Sequence, residues 1–281
     1  MKTSDSFMEK PLRILQVGMS PYYGGTESFL MSQYRKINRE KIQFDFLNVF
    51  NEPIACEDEI RRLGGCIYHL IMSRRKGMKQ YYKNLNNFFK EYGEKFDIIH
   101  CNFQSLINID LLKYAKKYNI RGRIAHAHNA GYGKKPNLVQ KIIIAYNKKR
   151  ISKYATSYFA CSRLASSWMF GTEDAVVINN GIETKNYLYD DDLRLITRKE
   201  LGIKDEFVLG HVGRFDNQKN PMFLIDIFFE LKKIYPNAKL LMVGDGALRK
   251  RIEHKINELE LSASVLLTGS RTDVNRLMQA M

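Results

Sequence analysis

Two cations in the second half of the chain lie five positions apart on one predicted strand-to-helix loop. Arg214 and Lys219 lie in GRFDNQKNP, between an apolar run and an apolar helical pattern. A guanidinium and an ammonium on one strand-to-helix loop can converge on a diphosphate, and the helix N-terminus adds its dipole. Asn220 is a candidate cap of that helix, with Pro221 at its first position. The alternative is a pair of solvated loop cations.

The segment RIAHAHN ends another apolar run with two histidines and Asn129. Alternate residues of a strand point to one face, so we expect His126 and His128 to face the same way. Ligands of open α/β sheets meet the carboxyl ends of strands, where an imidazole can hydrogen-bond a hydroxyl, a phosphate or a carbonyl. The alternative is a histidine satisfied within the core. Because no third ligand accompanies the pair, no metal site is predicted.

A glycine pair opens the first predicted helix. Gly24 and Gly25 precede Glu27 in GGTE, directly after the first apolar run. Glycines there let a ligand approach the backbone closely, and a helix N-terminus favours an anion. The GxGxxG pattern of dinucleotide-binding folds is absent, so a plain strand-to-helix turn is the alternative.

Two further turns follow predicted strands of the second half. Gly244 lies in VGDG, which suits a tight turn facing a ligand, and Arg271 to Val274 lie in TGSRTDV. Backbone groups of the second turn can contact the edge of a base. Capping of the next helix by Thr272 explains the same polar residues.

Apolar runs alternate with helical patterns along the whole chain. The predicted strands are 12–18, 44–49, 66–70, 96–101, 123–128, 157–160 and 176–179 in one series and 207–212, 238–243 and 265–268 in another. Strands that are apolar throughout favour parallel sheets covered on both faces. The sequence predicts a doubly wound α/β fold: a Rossmann-like domain over 1–180, a polar linker over 181–204, and an incomplete Rossmann-like domain over 205–281.

The 281-residue chain carries 45 Lys and Arg against 30 Asp and Glu, a formal net charge of +15. This excess predicts an anionic partner, which can be a nucleic acid, a membrane surface or a phosphorylated substrate. No apolar run reaches the roughly 20 residues of a transmembrane helix. The N-terminus lacks a signal-peptide pattern, so we expect a cytoplasmic protein.

Basic clusters concentrate in the first half, around an aromatic-rich helix predicted over 80–92. They are Arg74 to Lys76, Lys79, Lys83, Lys134 with Lys135, and Lys148 to Arg150. A basic, aromatic face favours an anionic lipid surface, whereas no helix-turn-helix, RRM, OB or zinc signature supports a nucleic-acid partner. Peripheral binding to the inner face of the cell membrane is therefore predicted, with solvated charged faces as the alternative.

Together, these segments resemble the retaining, metal-independent glycosyltransferases of family 4, which have the GT-B architecture. Six motifs follow the family's order across nearly the whole chain: GGTE, HAHN, CSRLASSWMFG with VINNGIE, GRFDNQKNP, LLMVGDG and LLTGSRTDV. The likeness is greatest to the branch that builds bacterial capsule, exopolysaccharide or lipopolysaccharide. It implies two Rossmann-like domains, the C-terminal one holding a nucleotide-sugar donor and the N-terminal one the acceptor.

The resemblance also implies residue roles. Arg214 and Lys219 match the pair that binds the donor diphosphate, and His128 matches the active-site histidine near the transferred sugar. The other matches on the donor side are Gly24, Gly25, Gly244, Arg271 and Val274. Those on the acceptor side are Glu27, His126 and Asn129.

The implied reaction moves a hexose-type sugar from a nucleotide sugar, expected to be UDP-linked, to a lipid-linked glycan, without a cofactor. Retention in this family is ascribed to front-face attack, in which the leaving phosphate assists deprotonation of the acceptor. The family's Glu-x7-Glu motif has no counterpart here, so the resemblance implies a member truncated in its second domain. A catalytically inactive remnant that binds acceptor or partner, and a basic nucleic-acid-binding protein, are the alternatives.

Overall fold

The computed structural model describes residues 10–71, 77–132 and 135–281. The chain forms two compact units, residues 1–182 and 183–281. Both are built around a parallel sheet. The predicted α/β class is therefore confirmed. Among the described residues, no helix combines the length and the apolar character needed to cross a bilayer.

The first unit has a sheet in the order β3-β2-β1-β4-β5-β6-β7. Its strands are β1 (Leu12–Val17), β2 (Ile42–Asn48), β3 (Ile67–His69), β4 (Ile98–Phe103), β5 (Gly122–Ala127), β6 (Ser157–Ala160) and β7 (Val176–Val177). The strand order reverses between β1 and β4, which is where open α/β sheets bind ligands at the carboxyl edge. The HAHN motif and the GGTE motif both lie at that edge.

Helices cover both faces of this sheet. They are α1 (Gly25–Lys36), α2 (Glu57–Arg62), α3 (Met78–Tyr92), α4 (Asp110–Lys117), α5 (Leu138–Arg150) and α6 (Arg163–Phe170). In α3 the residues Tyr81, Leu85, Phe88 and Phe89 repeat at helical spacing and are buried. Much of the aromatic character that the sequence shows in this helix therefore serves the core.

The second unit contains a three-stranded sheet in the order β10-β9-β8. Its elements are α7 (Asp191–Glu200), β8 (Val208–Val212), α8 (Pro221–Ile234), β9 (Lys239–Val243), α9 (Arg249–Glu258), β10 (Val265–Gly269) and α10 (Val274–Gln279). Phe215, Ile225, Phe228 and Leu240 are completely buried in its core. The three strands match the predicted second series.

Residues 181–204, for which the sequence predicts a linker, contain α7. Asp190 caps this helix, since its Oδ1 accepts a hydrogen bond from Leu193 N at 2.9 Å. The buried Arg198 of α7 donates to the carbonyls of Lys204, Glu206 and Ala280, which attaches the helix to α10 and to the start of β8. Composition alone misses this helix because the charged side chain of Arg198 bonds backbone carbonyls rather than water.

Replacing Arg198 by Met should loosen the second unit. Three backbone carbonyls would lose their hydrogen-bond donor. Each carbonyl that stays buried without a partner lowers the free energy of unfolding by about 1–3 kcal/mol. Hydrogen–deuterium exchange of residues 184–206 should rise at least tenfold. The same change at Arg251, exposed on α9, is the control. Equal exchange in both variants would show that Arg198 does not hold α7.

Candidate functional site

The loop between β1 and α1 is organised by the carboxylate of Glu27. Its Oε1 accepts hydrogen bonds from Ser20 N at 2.8 Å and Ser20 Oγ at 2.9 Å, and its Oε2 accepts from Gly24 N at 3.0 Å. Glu27 is buried, and both of its oxygens are engaged within the loop. The structure thus gives Glu27 a positioning role, and its acceptor-side role stays a prediction.

The glycine pair leaves the N-terminus of α1 open. A Cβ at Gly25 would meet nothing within 4 Å, and one at Gly24 would meet only Glu27 Oε2, at 3.2 Å. The backbone of Gly24 is extended, with φ of −146°. Neither glycine is therefore required by backbone strain. What the pair provides is bare backbone at the start of a twelve-residue helix, which suits an anion.

Gly18 brings the end of β1 against β4. Its φ is +117°, and a Cβ there would lie 2.6 Å from Asn102 O and 2.9 Å from Asn102 Cβ. Glycine alone adopts this conformation without strain. The close approach allows Asn102 Nδ2 to donate to Val17 O at 2.9 Å.

This bond determines how Asn102 meets His128. Because Asn102 Nδ2 is the donor to Val17, its Oδ1 must accept, and it lies 2.8 Å from His128 Nε2. The network thus assigns the hydrogen of His128 to Nε2 and leaves Nδ1 with a free lone pair. Burial lowers the pKa of His128 to about 4, so the ring is neutral near pH 7.

His128 belongs to a cluster of three neutral imidazoles. His126 is fully buried, with its Nδ1 3.0 Å from His100 Nε2 and its ring centroid 4.1 Å from that of His128. The ring of Phe29 packs in T-shaped contacts against both rings of the HAHN motif. Burial lowers the pKa of His100 to about 3 and that of His126 to about 2. The predicted common face of His126 and His128 is confirmed.

The sequence did not single out His100 and Asn102. They occupy alternate positions of β4, and Asn102 is paired in register with His126 of β5. The signal was present in IIHCNF, a run whose polar residues alternate within an otherwise apolar strand. It becomes meaningful only once β4 and β5 are known to be neighbours.

Asn129 links the end of β5 to α1 through a second polar chain. Its Nδ2 donates to Gln104 Oε1, and Gln104 Nε2 donates to Thr26 Oγ1 at 2.9 Å. The carboxyl ends of β4 and β5 and the start of α1 therefore form one connected edge. The structure places Gly24, His126, His128 and Asn129 along it.

In the second unit, the loop Gly213–Asn220 is held by backbone contacts. Gly213 N donates to Val243 O, and Phe215 N donates to Asp245 O, each at 2.9 Å. Gly244 has φ of +140°, and a Cβ there would lie 2.0 Å from Gly213 O. The structural reason for Gly244 is thus the close packing of two loops, while its donor contact stays a prediction.

The two cations of this loop remain available. The side chain of Arg214 is 70% exposed, with Asp216 Oδ2 at 3.3 Å. Lys219 is exposed and makes no ion pair within the described ranges. His211, at the end of β8, has a pKa lowered by burial and then by the charge of Lys219. The loop therefore offers positive charge to an anion.

The predicted helix caps of the second unit have different outcomes. Asn220 occupies the N-cap position of α8 and Pro221 begins the helix, both as predicted, but Asn220 has φ of +46° and its side chain makes no capping hydrogen bond. The residue at the N-cap of α10 is Asp273, not Thr272. The Thr272 cap is therefore wrong, and the Asn220 cap is right in position but lacks its side-chain hydrogen bond.

Arg271 forms a bidentate ion pair with Asp273, at 2.8 and 2.7 Å, which keeps the pKa of that carboxyl low. Its side chain thus shapes the turn before Val274, the first residue of α10. Contact of this turn with a base stays a prediction. Among the described residues, no group of three or more His, Cys, Asp or Glu could hold a metal ion. The basic residues Arg74 to Lys76 and Lys134 lie outside the described residues.

The histidine cluster should make the stability of the first unit depend on pH. Below pH about 6.5 the unfolded chain binds protons that the three buried rings, with lowered pKa values, do not bind. The contribution of the three rings to the free energy of unfolding is therefore fully present above that pH. It is lost as the pH falls towards 4, by up to about 1.4 kcal/mol per pH unit for each ring.

Urea unfolding followed by fluorescence of Trp168, the single tryptophan, measures this effect in the first unit. Replacing His126 by Gln should reduce the slope of the unfolding free energy against pH by about a third. The same replacement of His254, exposed on α9, should leave the slope unchanged. A slope equal in wild type and both variants would contradict the assignment.

Known proteins resemble this chain both in sequence and in fold. The profile of the family "Glycosyl transferases group 1" matches residues 194–281. The chain is 28% identical to the putative glycosyltransferase EpsF of Bacillus subtilis over 273 residues, which cover 95% of this chain and 71% of EpsF. It is 30% identical over 130 residues, 43% of this chain and 34% of the other, to a Campylobacter jejuni alpha-1,4-N-acetyl-D-galactosaminyltransferase named for a PP-undecaprenol-linked glycan.

Among solved structures, Anabaena Alr3699/HepE in complex with UDP and glucose superposes with a TM-score of 0.74. It is 20% identical, and the match covers 96% of this chain and 72% of HepE. The chain thus spans about seven tenths of both EpsF and HepE. The family profile over residues 194–281, the relatives and the fold agree, and together they identify a glycosyltransferase with a group 1 domain and the GT-B fold.

Proposed function

We propose that this protein transfers a hexose-type sugar from a UDP-sugar to a lipid-linked glycan during synthesis of a surface polysaccharide. The observation that carries the proposal is the loop Gly213–Asn220, whose backbone is fixed by its neighbours while Arg214 and Lys219 stay exposed. A loop whose backbone is held and whose cations are exposed is suited to a diphosphate. The UDP in the HepE structure and the undecaprenyl-linked glycan of the Campylobacter enzyme support this choice of substrates.

The charges of the loop match the charge that develops in the reaction. When the bond between sugar and phosphate breaks, negative charge grows on the β-phosphate. In this proposal Arg214 donates two hydrogen bonds from its fork, Lys219 supplies a point charge, and the fourteen-residue α8 adds the positive end of its dipole. Together they replace the divalent ion that other transferases use, so no metal is required.

The first unit is proposed to hold the acceptor and to contribute His128. A neutral imidazole can hydrogen-bond a sugar hydroxyl without attracting the diphosphate, and the lowered pKa keeps the ring neutral. Attack from the face that the leaving group occupies, with the departing phosphate taking the acceptor proton, gives retention of configuration. No carboxylate of the chain then has to act as base.

Calorimetric titration with UDP tests the donor loop. Wild type should bind UDP, and replacement of either Arg214 or Lys219 by Ala should weaken binding at least tenfold, since a charge-assisted hydrogen bond to phosphate is lost. Replacement of Lys233 by Ala removes the same charge at the far end of α8 and serves as control. UDP binding that is absent in wild type would favour the inactive-remnant alternative. Binding that is unchanged in both loop variants would contradict the assignment of the donor site to this loop.

Removal of metal ions tests the proposed electrostatics. EDTA should change the affinity for UDP less than twofold, because side chains and the helix N-terminus supply the positive charge. Added Mg²⁺ or Mn²⁺ should have as little effect. A loss of UDP binding in EDTA that either ion restores would overturn the metal-independent assignment.

A further inference from the structure

One helix of the first unit exposes an apolar face. On α5 the side chains of Leu138, Val139, Ile142 and Tyr146 are 73%, 64%, 62% and 54% exposed. At 3.6 residues per turn these positions fall on one side of the helix. An exposed stripe of this kind on a folded unit indicates a surface that another phase or molecule covers.

The opposite side of α5 is firmly attached, so the exposed face is a fixed feature. Asn147 is buried and its Nδ2 donates to Leu106 O at 2.7 Å. Lys148 Nζ donates to Trp168 O at 2.8 Å, and Ile144 packs against the core. The helix is therefore held by one side and presents the other.

Cations border the apolar stripe. Lys149 follows on the same side of the helix, Lys141 lies at one edge, and Arg150 at the other stacks on the ring of Tyr146 at 5.0 Å. All formal charges in the wider segment are positive, since residues 111–172 contain thirteen Lys and Arg and no Asp or Glu. The chemistry of this surface is thus aliphatic at its centre and positive around it.

We propose that this α5 face lies on an anionic phospholipid bilayer, with the four apolar side chains among the acyl chains and the cations at the headgroups. A helix that is apolar on one side, bordered by Lys and Arg, has the pattern of an interfacial helix. Nucleic acid fits less well, since aliphatic side chains gain nothing beside phosphates. The proposal deepens the proposed function, because it rests on an acceptor carried by a membrane lipid.

This surface differs from the one that the sequence suggests. The aromatic residues of α3 that attract attention in the sequence, Tyr81, Phe88 and Phe89, are buried in the core and cannot enter a bilayer. The charge pattern alone does not distinguish α5 from α3 as the membrane-binding helix. The exposed fraction of their apolar side chains distinguishes them.

Co-sedimentation of the purified chain with vesicles tests the proposal. Vesicles of phosphatidylcholine with about one third phosphatidylglycerol should bind at least tenfold more protein than pure phosphatidylcholine. The double variant Leu138→Ser and Ile142→Ser should lose at least tenfold in this binding, and so should Lys141→Gln with Lys149→Gln.

The matched control is Leu195→Ser with Ile234→Ser, which changes two aliphatic side chains of similar exposure, 67% and 72%, in the second unit. It should bind vesicles as wild type does. All variants should keep the UDP affinity of wild type, so that loss of vesicle binding is distinguishable from failure of the donor site.

Equal binding of wild type to both kinds of vesicle, or α5 variants that bind as tightly as wild type, would overturn the proposal. Binding to a mixed-sequence RNA without binding to vesicles would also overturn it and would favour the nucleic-acid alternative. Thermal unfolding that is unchanged in the α5 variants excludes misfolding as a cause of lost binding.

Discussion

The carboxamide of Asn102 joins the three strands on which the candidate site of the first unit depends. It lies on β4, donates to the carbonyl of Val17 at the end of β1, and accepts from His128 just after β5. The contact is possible because Gly18 has no side chain at the point where the strands meet. With one side of the amide occupied by a carbonyl, its oxygen can face only a donor, and the protonation of His128 follows from that.

The histidine cluster lowers the stability of the first unit but gives its candidate site a defined structure. Three imidazoles that stay neutral in the interior, and an orphaned nitrogen on His126, reduce what burial contributes to stability. Apolar residues at these positions would pack without that loss. Polar side chains gathered at the carboxyl edge, next to the reversal of strand order, are instead what a binding site requires.

The second unit uses a different means to prepare its loop. Main-chain bonds from Gly213 and Phe215 to the neighbouring turn hold the backbone, with Gly244 packed against them. The side chains of Arg214, beside Asp216, and of Lys219 stay exposed. Glu27 and Arg271 illustrate the contrast, because their charges are engaged in shaping their own loops. Cations that stay exposed on a held backbone are the ones that can meet a ligand.

The sequence by itself determined the two strand series and the parallel sheets. It also determined where the glycine, histidine and cation motifs lie, because apolar runs and turn residues act locally. Tertiary structure alone decided that His100 and Asn102 join the HAHN histidines, since strand neighbours far apart in sequence bring them together. It also decided that α7 is a helix fastened by Arg198, and that α5 rather than α3 exposes an apolar face. Burial depends on what packs against a residue, and no local pattern contains that information.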